Sequence, residues 1–200
     1  MADRAFVLGL SGIPGAGKST LTQVLLKTFR QSQAVYYDQF QTITRMPPDR
    51  VRDWFARGAD PNEFPLSELV GELASRTQIH PADGSRPLVI FETPFGRKHR
   101  ATGAFIDFLV WVDTPLDIAL ARATLAFLRT AQREKSPNAA AEFVQWQTQY
   151  MLNYPIVRPM YLAQRESISA SADLVLDGNA SPEQSAERIT QELVRRDIES

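Results

Sequence analysis

One octapeptide constrains this chain more than any other stretch: Gly12-Ile13-Pro14-Gly15-Ala16-Gly17-Lys18-Ser19. It fits G-x-x-x-x-G-K-[ST], the phosphate-binding loop motif. Its flanks fit as well. Ala5 to Leu10 is a short apolar run of the kind that makes a buried strand. Leu21, Val24, Leu25 and Phe29 then recur at helical spacing, so a helix opens near Lys18. Glycines let such a loop turn tightly and bring successive backbone N–H groups onto phosphate oxygens at the positive end of a helix dipole. Lys18 is placed to reach the β- and γ-phosphates, and Ser19 to put its hydroxyl on Mg²⁺. Gly12 to Thr20 is therefore the candidate nucleotide-binding segment.

Composition narrows the class. The 200 residues are 44% hydrophobic with a net charge of −1, enough for a sizeable core and without the basic excess of a nucleic-acid-coating surface. There is no cysteine, which excludes disulfides, thiolate metal sites and cysteine nucleophiles and fits a cytoplasmic chain. The segment from Met1 to the glycine loop is too short for a secretory signal, and no apolar run approaches a membrane span. The expected unit is one domain over 1–200.

Four more strands follow the first. Gln31-Ser32-Gln33 is expected to end the first helix, and Ala34-Val35-Tyr36-Tyr37 to form a strand with Asp38 at its carboxyl end. Ligands of open parallel sheets bind at that edge, so Asp38 is either a cleft residue or a capping aspartate. Residues 39–65 break the pattern with Pro47-Pro48, a short helix around Val51, Trp54 and Phe55, and an Asp60-Pro61-Asn62 turn. This insertion suits a segment covering an acceptor; Trp54 and Phe55 either face that acceptor or pack on the core. Leu66, Leu69, Val70 and Leu73 mark a helix to about His80, which ends it, and Pro81–Gly84 a turn. Leu88 to Phe91 is a fully apolar strand, and Glu92 follows where an acidic residue can hold Mg²⁺ directly or through water. The run Arg97-Lys98-His99-Arg100 is either a solvated face or a contact to an anionic group.

Phe108 to Val112 is the fourth strand. Thr114-Pro115-x-Asp117 starts a helix with Thr114 as N-cap and proline first. That helix carries Arg122, Arg129 and Arg133 toward a polar segment at Ala131–Pro137, so about 123–137 reads as a lid over transferring phosphates. Ser136-Pro137 restarts a helix that Pro155 ends, with a second piece around Met160, Tyr161 and Leu162. Leu174 to Leu176 is the fifth strand, and Asp177-Gly178-Asn179-Ala180 its exit loop. A capping box at Ser181-x-x-Gln184 opens the last helix, whose expected buried stripe is Ile189, Leu193 and Val194.

Five strands alternating with helices argue an α/β fold with a parallel sheet. On Leu8–Thr20, Tyr36-Tyr37-Asp38, Leu88–Glu92, Val112–Arg122 and Ala172–Gly178, the chain resembles the uridine kinase family of P-loop kinases, similar to phosphoribulokinases and nicotinamide riboside kinases. The resemblance implies a three-layer P-loop NTPase fold with a helical lid, and transfer of the γ-phosphoryl group of ATP to a hydroxyl of a nucleoside, sugar or vitamin-like molecule. It implies Asp38 as the base near that hydroxyl, Glu92 as metal-associated, and Gly178 and Asn179 beside the nucleotide base. It implies no nucleic-acid or membrane partner and is compatible with a homo-oligomer. The chain departs from the family in its lid, where Arg122 is followed by Ala123 and Ala126 and no Arg-Gly-Arg occurs, leaving Arg129 or Arg133 as the substitute. Thr93 also stands where the family has glycine. No N-K-x-D of a GTPase and no L-S-G-G-Q of a transporter ATPase is present. The alternative is a nucleotide-binding ATPase or regulatory module without a small-molecule acceptor.

Overall fold

In the computed structural model, residues 4–43, 46, 48–78, 86–133, 139–196 and 198 are described. Five strands, β1 (Phe6–Ser11), β2 (Ser32–Tyr36), β3 (Leu88–Glu92), β4 (Phe108–Asp113) and β5 (Leu174–Asp177), form one sheet in the order β2-β3-β1-β4-β5. Every pairing is parallel. The contiguous apolar runs of β1, β3 and β4 are the central strands, where both faces are covered, as the lack of alternation requires. Among the described residues seven α-helices accompany the sheet: α1 (Lys18–Thr28), α2 (Pro48–Ala56), α3 (Ser67–Thr77), α4 (Arg100–Gly103), α5 (Leu116–Arg133), α6 (Ala139–Ser169) and α7 (Pro182–Val194). α1 packs on α7, α3 on β2, and α6 on α5 and β4.

Several boundaries differ from expectation, each for a local reason. α1 ends three residues early: Phe29 adopts an extended conformation and drops into the core, so Ser32 and Gln33 already belong to β2. Trp54 is buried, and its Nε1 donates to the Asp60 carbonyl at 3.0 Å, closing the 54–60 segment on itself. Phe55 meets it at a tilt and Phe64 edge-on, ring centroids 5.1 and 5.3 Å away, so these aromatics belong to the packing. Pro155 does not end a helix. α6 runs unbroken through Pro155 and Pro159, because Met160 and Tyr161 pack against the core and Ile168 lies in it, which outweighs the two missing N–H donors. Val194 is exposed, whereas Ile189 and Leu193 are buried as the stripe requires. The capping box is present in both directions, Gln184 N to Ser181 Oγ and Ser181 N to Gln184 Oε1, each at 3.1 Å. The expected helix end at His80, the Pro81–Gly84 turn and the Ser136-Pro137 restart lie outside the described residues.

Candidate active site

The glycine loop leaves the carboxyl end of β1 and delivers the chain to α1 with Gly17 as N-cap, at φ +98°. No side chain caps this helix and no acidic residue sits in its first turn. The first backbone N–H groups and the positive end of the dipole are thus left for an external anion. Ile13 and Ala16 are buried beneath the loop, while Pro14 is exposed at its tip. The loop is tied from below by a contact that local sequence rules misassign. Thr114, expected to cap α5, donates its hydroxyl to the Ala16 carbonyl at 3.1 Å.

Strand register brings the acidic residues to the same edge. Leu10 of β1, Glu92 of β3 and Tyr36 of β2 are level across the three neighbouring strands. Glu92 is the last residue of its strand, not the residue after it. Asp38 stands in a one-turn 3₁₀ helix, Tyr37–Gln39, directly after β2. With strands ~4.8 Å apart, β1 and β2 are about 10 Å apart, with β3 and its Glu92 between them.

The side chains at this edge sense one another. Ser19 Oγ donates to Glu92 Oε1 at 2.9 Å. Glu92 Oε2 is buried and has no hydrogen-bond partner. Burial raises the Glu92 carboxyl above its usual range and Asp38 adds to this, while Lys18 and the Ser19 hydrogen bond pull it back. Lys18 Nζ folds across the loop onto the carbonyls of Gly12 and Ile13, at 3.0 and 3.2 Å. Burial lowers its pKa, and Glu92 and then Asp38 oppose the shift. Tyr37 is buried edge-on against Phe95, ring centroids 5.3 Å apart; burial and then the Asp38 charge raise its hydroxyl. The structure therefore gathers Lys18, Ser19, Glu92 and Asp38 into one electrostatic cluster.

That cluster has the donor set for a hard cation. A serine hydroxyl and a carboxylate with one oxygen unpartnered are the ligands a Mg²⁺ ion takes when phosphates and water complete its shell. Among the described residues no group of three or more His, Cys, Asp or Glu is placed to hold a metal.

A second cavity, about 250 Å³, opens beside α1 and is lined by Gly17, Thr20, Arg122, Gly178, Ala180 and Ser185, among others. Arg122 Nη1 donates to the Gly178 carbonyl at 2.8 Å, joining α5 to the loop after β5. Asn179 does not line this cavity; its backbone N–H closes an Asx turn on Asp177 Oδ1, and Ala180 takes the wall position. Arg129 is exposed, two turns and about 10 Å farther along α5 than Arg122. The structure brings Arg122 to the cavity and does not bring Arg129 there.

The basic run divides by role. Arg97 pairs with Asp173 at 2.6 Å and also reaches the Ser171 and Asp107 carbonyls, stapling the loop after β3 to the start of β5. His99 is buried. The Phe64 carbonyl at 2.8 Å from Nε2 can only accept, so Nε2 carries the proton and Nδ1 accepts from the Thr102 hydroxyl. These two residues hold structure; Lys98 and Arg100 are exposed. Sequence reasoning also missed the Asp113–Arg165 fork at 2.6 and 2.7 Å, in which α6 grips the end of β4 and lowers the Asp113 pKa; Trp111 Nε1 adds a further donor.

No protein-family model matches the chain. Over 123 residues it is 28% identical to an adenylyl-sulfate kinase of Myxococcus xanthus, a match that takes in 58% of this chain and spans 62% of the length of that curated relative. Among solved structures, it is similar to a shikimate kinase from Aquifex aeolicus, with a TM-score of 0.54 and 16% identity over 96% of this chain and 98% of that one. It is also similar to a sugar kinase from Janibacter sp. HTCC2649, with a TM-score of 0.51 and 18% identity over 95% of each chain. At such identities the likeness to these structures is one of fold, and with the all-parallel sheet and the glycine loop at its carboxyl edge, the chain has the P-loop NTPase α/β fold.

Proposed function

We propose that this chain is an ATP- and Mg²⁺-dependent kinase that transfers the γ-phosphoryl group to a hydroxyl of a small molecule. The observation that carries the reading is the order of groups along the sheet edge: phosphate loop at β1, Ser19–Glu92 at β3, Asp38 beyond β2. The glycine loop, the α1 N-terminus and Lys18 bind the triphosphate, with Lys18 Nζ exchanging loop carbonyls for phosphate oxygens. Ser19 and Glu92 hold the metal, which when bound draws charge from the transferring phosphoryl group. Asp38 aligns the acceptor hydroxyl and takes its proton, from a turn two strands along the sheet from the loop that holds the triphosphate. Arg122, with Gly178 and Thr20, frames the base cavity, and Arg129 reaches the phosphates only if the α5–α6 hairpin, the lid of this reading, closes over them.

The kinases it is similar to are named for three different acceptors, which supports the reaction class more than any one acceptor. Within that class we place the chain nearest the uridine kinase and phosphoribulokinase type, on Tyr36-Tyr37-Asp38 and Glu92. The 39–65 insertion covers a nucleoside-, sugar- or vitamin-sized acceptor in a single kinase domain, and a cytoplasmic location goes with this reading. The test is ADP release measured across a panel of nucleosides, sugars and hydroxyl-bearing vitamins. The reading expects release that one acceptor class stimulates and that Lys18→Ala lowers at least ~10²-fold. Release that no acceptor stimulates would instead favour a nucleotide-hydrolysing or regulatory module.

A further inference from the structure

A phosphate loop binds with its backbone amides, so the direction each amide faces decides what it can hold. The Ala16 N–H is already engaged, donating to the Ile13 carbonyl at 3.0 Å. The Gly17 N–H has no acceptor among the described residues. One contact sets its direction. The Ala16–Gly17 peptide is trans, so the Ala16 carbonyl and the Gly17 N–H point to opposite sides of the chain. Thr114 Oγ1 donates to that carbonyl at 3.1 Å from beneath the loop. The Gly17 N–H is thereby turned outward. The space beside Gly17 is open there, since an added Cβ would meet nothing within 4 Å.

Glycine itself does not hold the peptide this way. A flip of the peptide plane would carry Gly17 from φ +98° to the negative side, and glycine populates both sides about equally. The hydroxyl is what resists the flip. A flipped peptide would present an N–H to Thr114, and the hydroxyl proton of a residue only 2% exposed would lose its acceptor. Gly178 closes the site from the far side: a Cβ there would lie 1.8 Å from Thr114 Oγ1. Arg122 fixes that glycine through its carbonyl at 2.8 Å. The Thr114–Ala16 bond is thus kept from water, where a hydrogen bond is electrostatically stronger.

We propose that Thr114 is a positioning residue for nucleotide phosphate: by holding the Ala16 carbonyl, its hydroxyl presents the Gly17 N–H to a phosphate oxygen. Thr114 acts through the loop and does not touch the ligand. This role rests on the nucleotide-binding reading of the loop proposed above.

The experiment compares Thr114→Val, which keeps the branched shape and removes the hydroxyl, with Thr114→Ser, which keeps the hydroxyl. Thr114→Ala is the second hydroxyl-free variant, should valine disturb the fold. Calorimetry reads the affinity for ADP and for ATP with Mg²⁺, well below the melting temperature of each variant. Amide NMR on isotope-labelled protein follows the Gly17 N–H during titration with ADP. The hydroxyl-free variants are expected to bind both nucleotides about 10–100-fold more weakly, the worth of one hydrogen bond to a charged group. Serine is expected to restore the affinity. The Gly17 amide proton should move downfield with ADP in the parent and in Thr114→Ser, and should stay in place without the hydroxyl. A hydroxyl-free variant that melts lower but binds as the parent does would leave the contact a purely structural one and overturn the proposal. So would a loss that serine does not restore, or a parent Gly17 amide that ADP does not move. A parent that binds neither nucleotide would overturn the kinase reading, and this role with it.

Discussion

Two glycines of the loop are required for different reasons, and alanine at each separates them. At Gly15 (φ +81°) an added Cβ would lie 2.0 Å from the Ala119 carbonyl oxygen and 2.8 Å from its carbon. Those are backbone atoms of α5, so the helix must retreat by more than about 1 Å to restore ordinary contact. Positive φ costs about 1–2 kcal/mol, and overpacking about 1–3 kcal/mol more. Gly15→Ala should therefore lose about 2–5 kcal/mol, or roughly 4–20 °C of melting temperature for a chain of this size. At Gly17 (φ +98°) an added Cβ meets nothing within 4 Å, so only the backbone term of about 1–2 kcal/mol applies, roughly 2–8 °C. That open space is where the account puts phosphate. Gly17→Ala should therefore lower ATP affinity at least ~10-fold, about 1.4 kcal/mol, despite the smaller stability loss. Thermal melts and calorimetric titration with ATP read both quantities. Gly17→Ala with undiminished ATP affinity would show that the phosphates do not lie at the α1 N-terminus. Equal melting losses would show that the approach to Ala119 is slack.

Three further outcomes are expected. Glu92→Gln should raise the Mg²⁺ concentration needed for activity about 10–100-fold and also raise the melting temperature of the metal-free protein. Burial lifts the folded carboxyl above its unfolded value, so stability is lost as pH rises between the two; the glutamine variant's advantage should be absent below the ordinary carboxylate range and grow as pH rises above it, and a pH-independent difference would contradict the assignment. Asp38→Asn should slow single-turnover transfer ~10²–10⁴-fold with ATP affinity unchanged, whereas lost ATP binding would move Asp38 into the metal site. Arg97→Ala should lower the melting temperature by about 2–4 °C, for a half-exposed ion pair and its carbonyl contacts worth about 1 kcal/mol, without changing turnover; the opposite pattern would return Arg97 to phosphate contact.

The parts of the molecule that were legible in the sequence obey short-range rules. The central strands read as unbroken apolar runs because parallel strands are buried on both faces; the end of β3 places Glu92 at the carboxyl edge of the sheet, and the end of the edge strand β2 places Asp38 there. The capping box at Ser181 was legible for the same reason: its partners are three residues apart. What escaped is held by distant partners. Arg97 stayed open between a solvated face and an anion contact because its partner, Asp173, lies 76 residues away. Thr114 looked like a cap because Ala16, 98 residues away, is what it binds. Trp54 and Phe55 stayed open between facing an acceptor and packing on the core, and the closure of Trp54 Nε1 onto the Asp60 carbonyl goes with packing. Pro155 looked like a stop because local propensity opposes a helix there, and tertiary packing of Met160, Tyr161 and Ile168 overrides it.

The central claim is that the γ-phosphoryl group of ATP ends on an organic hydroxyl. It is tested most directly by incubating the chain with Mg²⁺, ATP labelled in that group and the acceptor panel, and then asking by mass spectrometry where the label resides. The account predicts label in one phosphorylated acceptor class, abolished by Lys18→Ala and sharply reduced by Asp38→Asn. Label recovered only as inorganic phosphate, at the same rate with and without every acceptor, would contradict it.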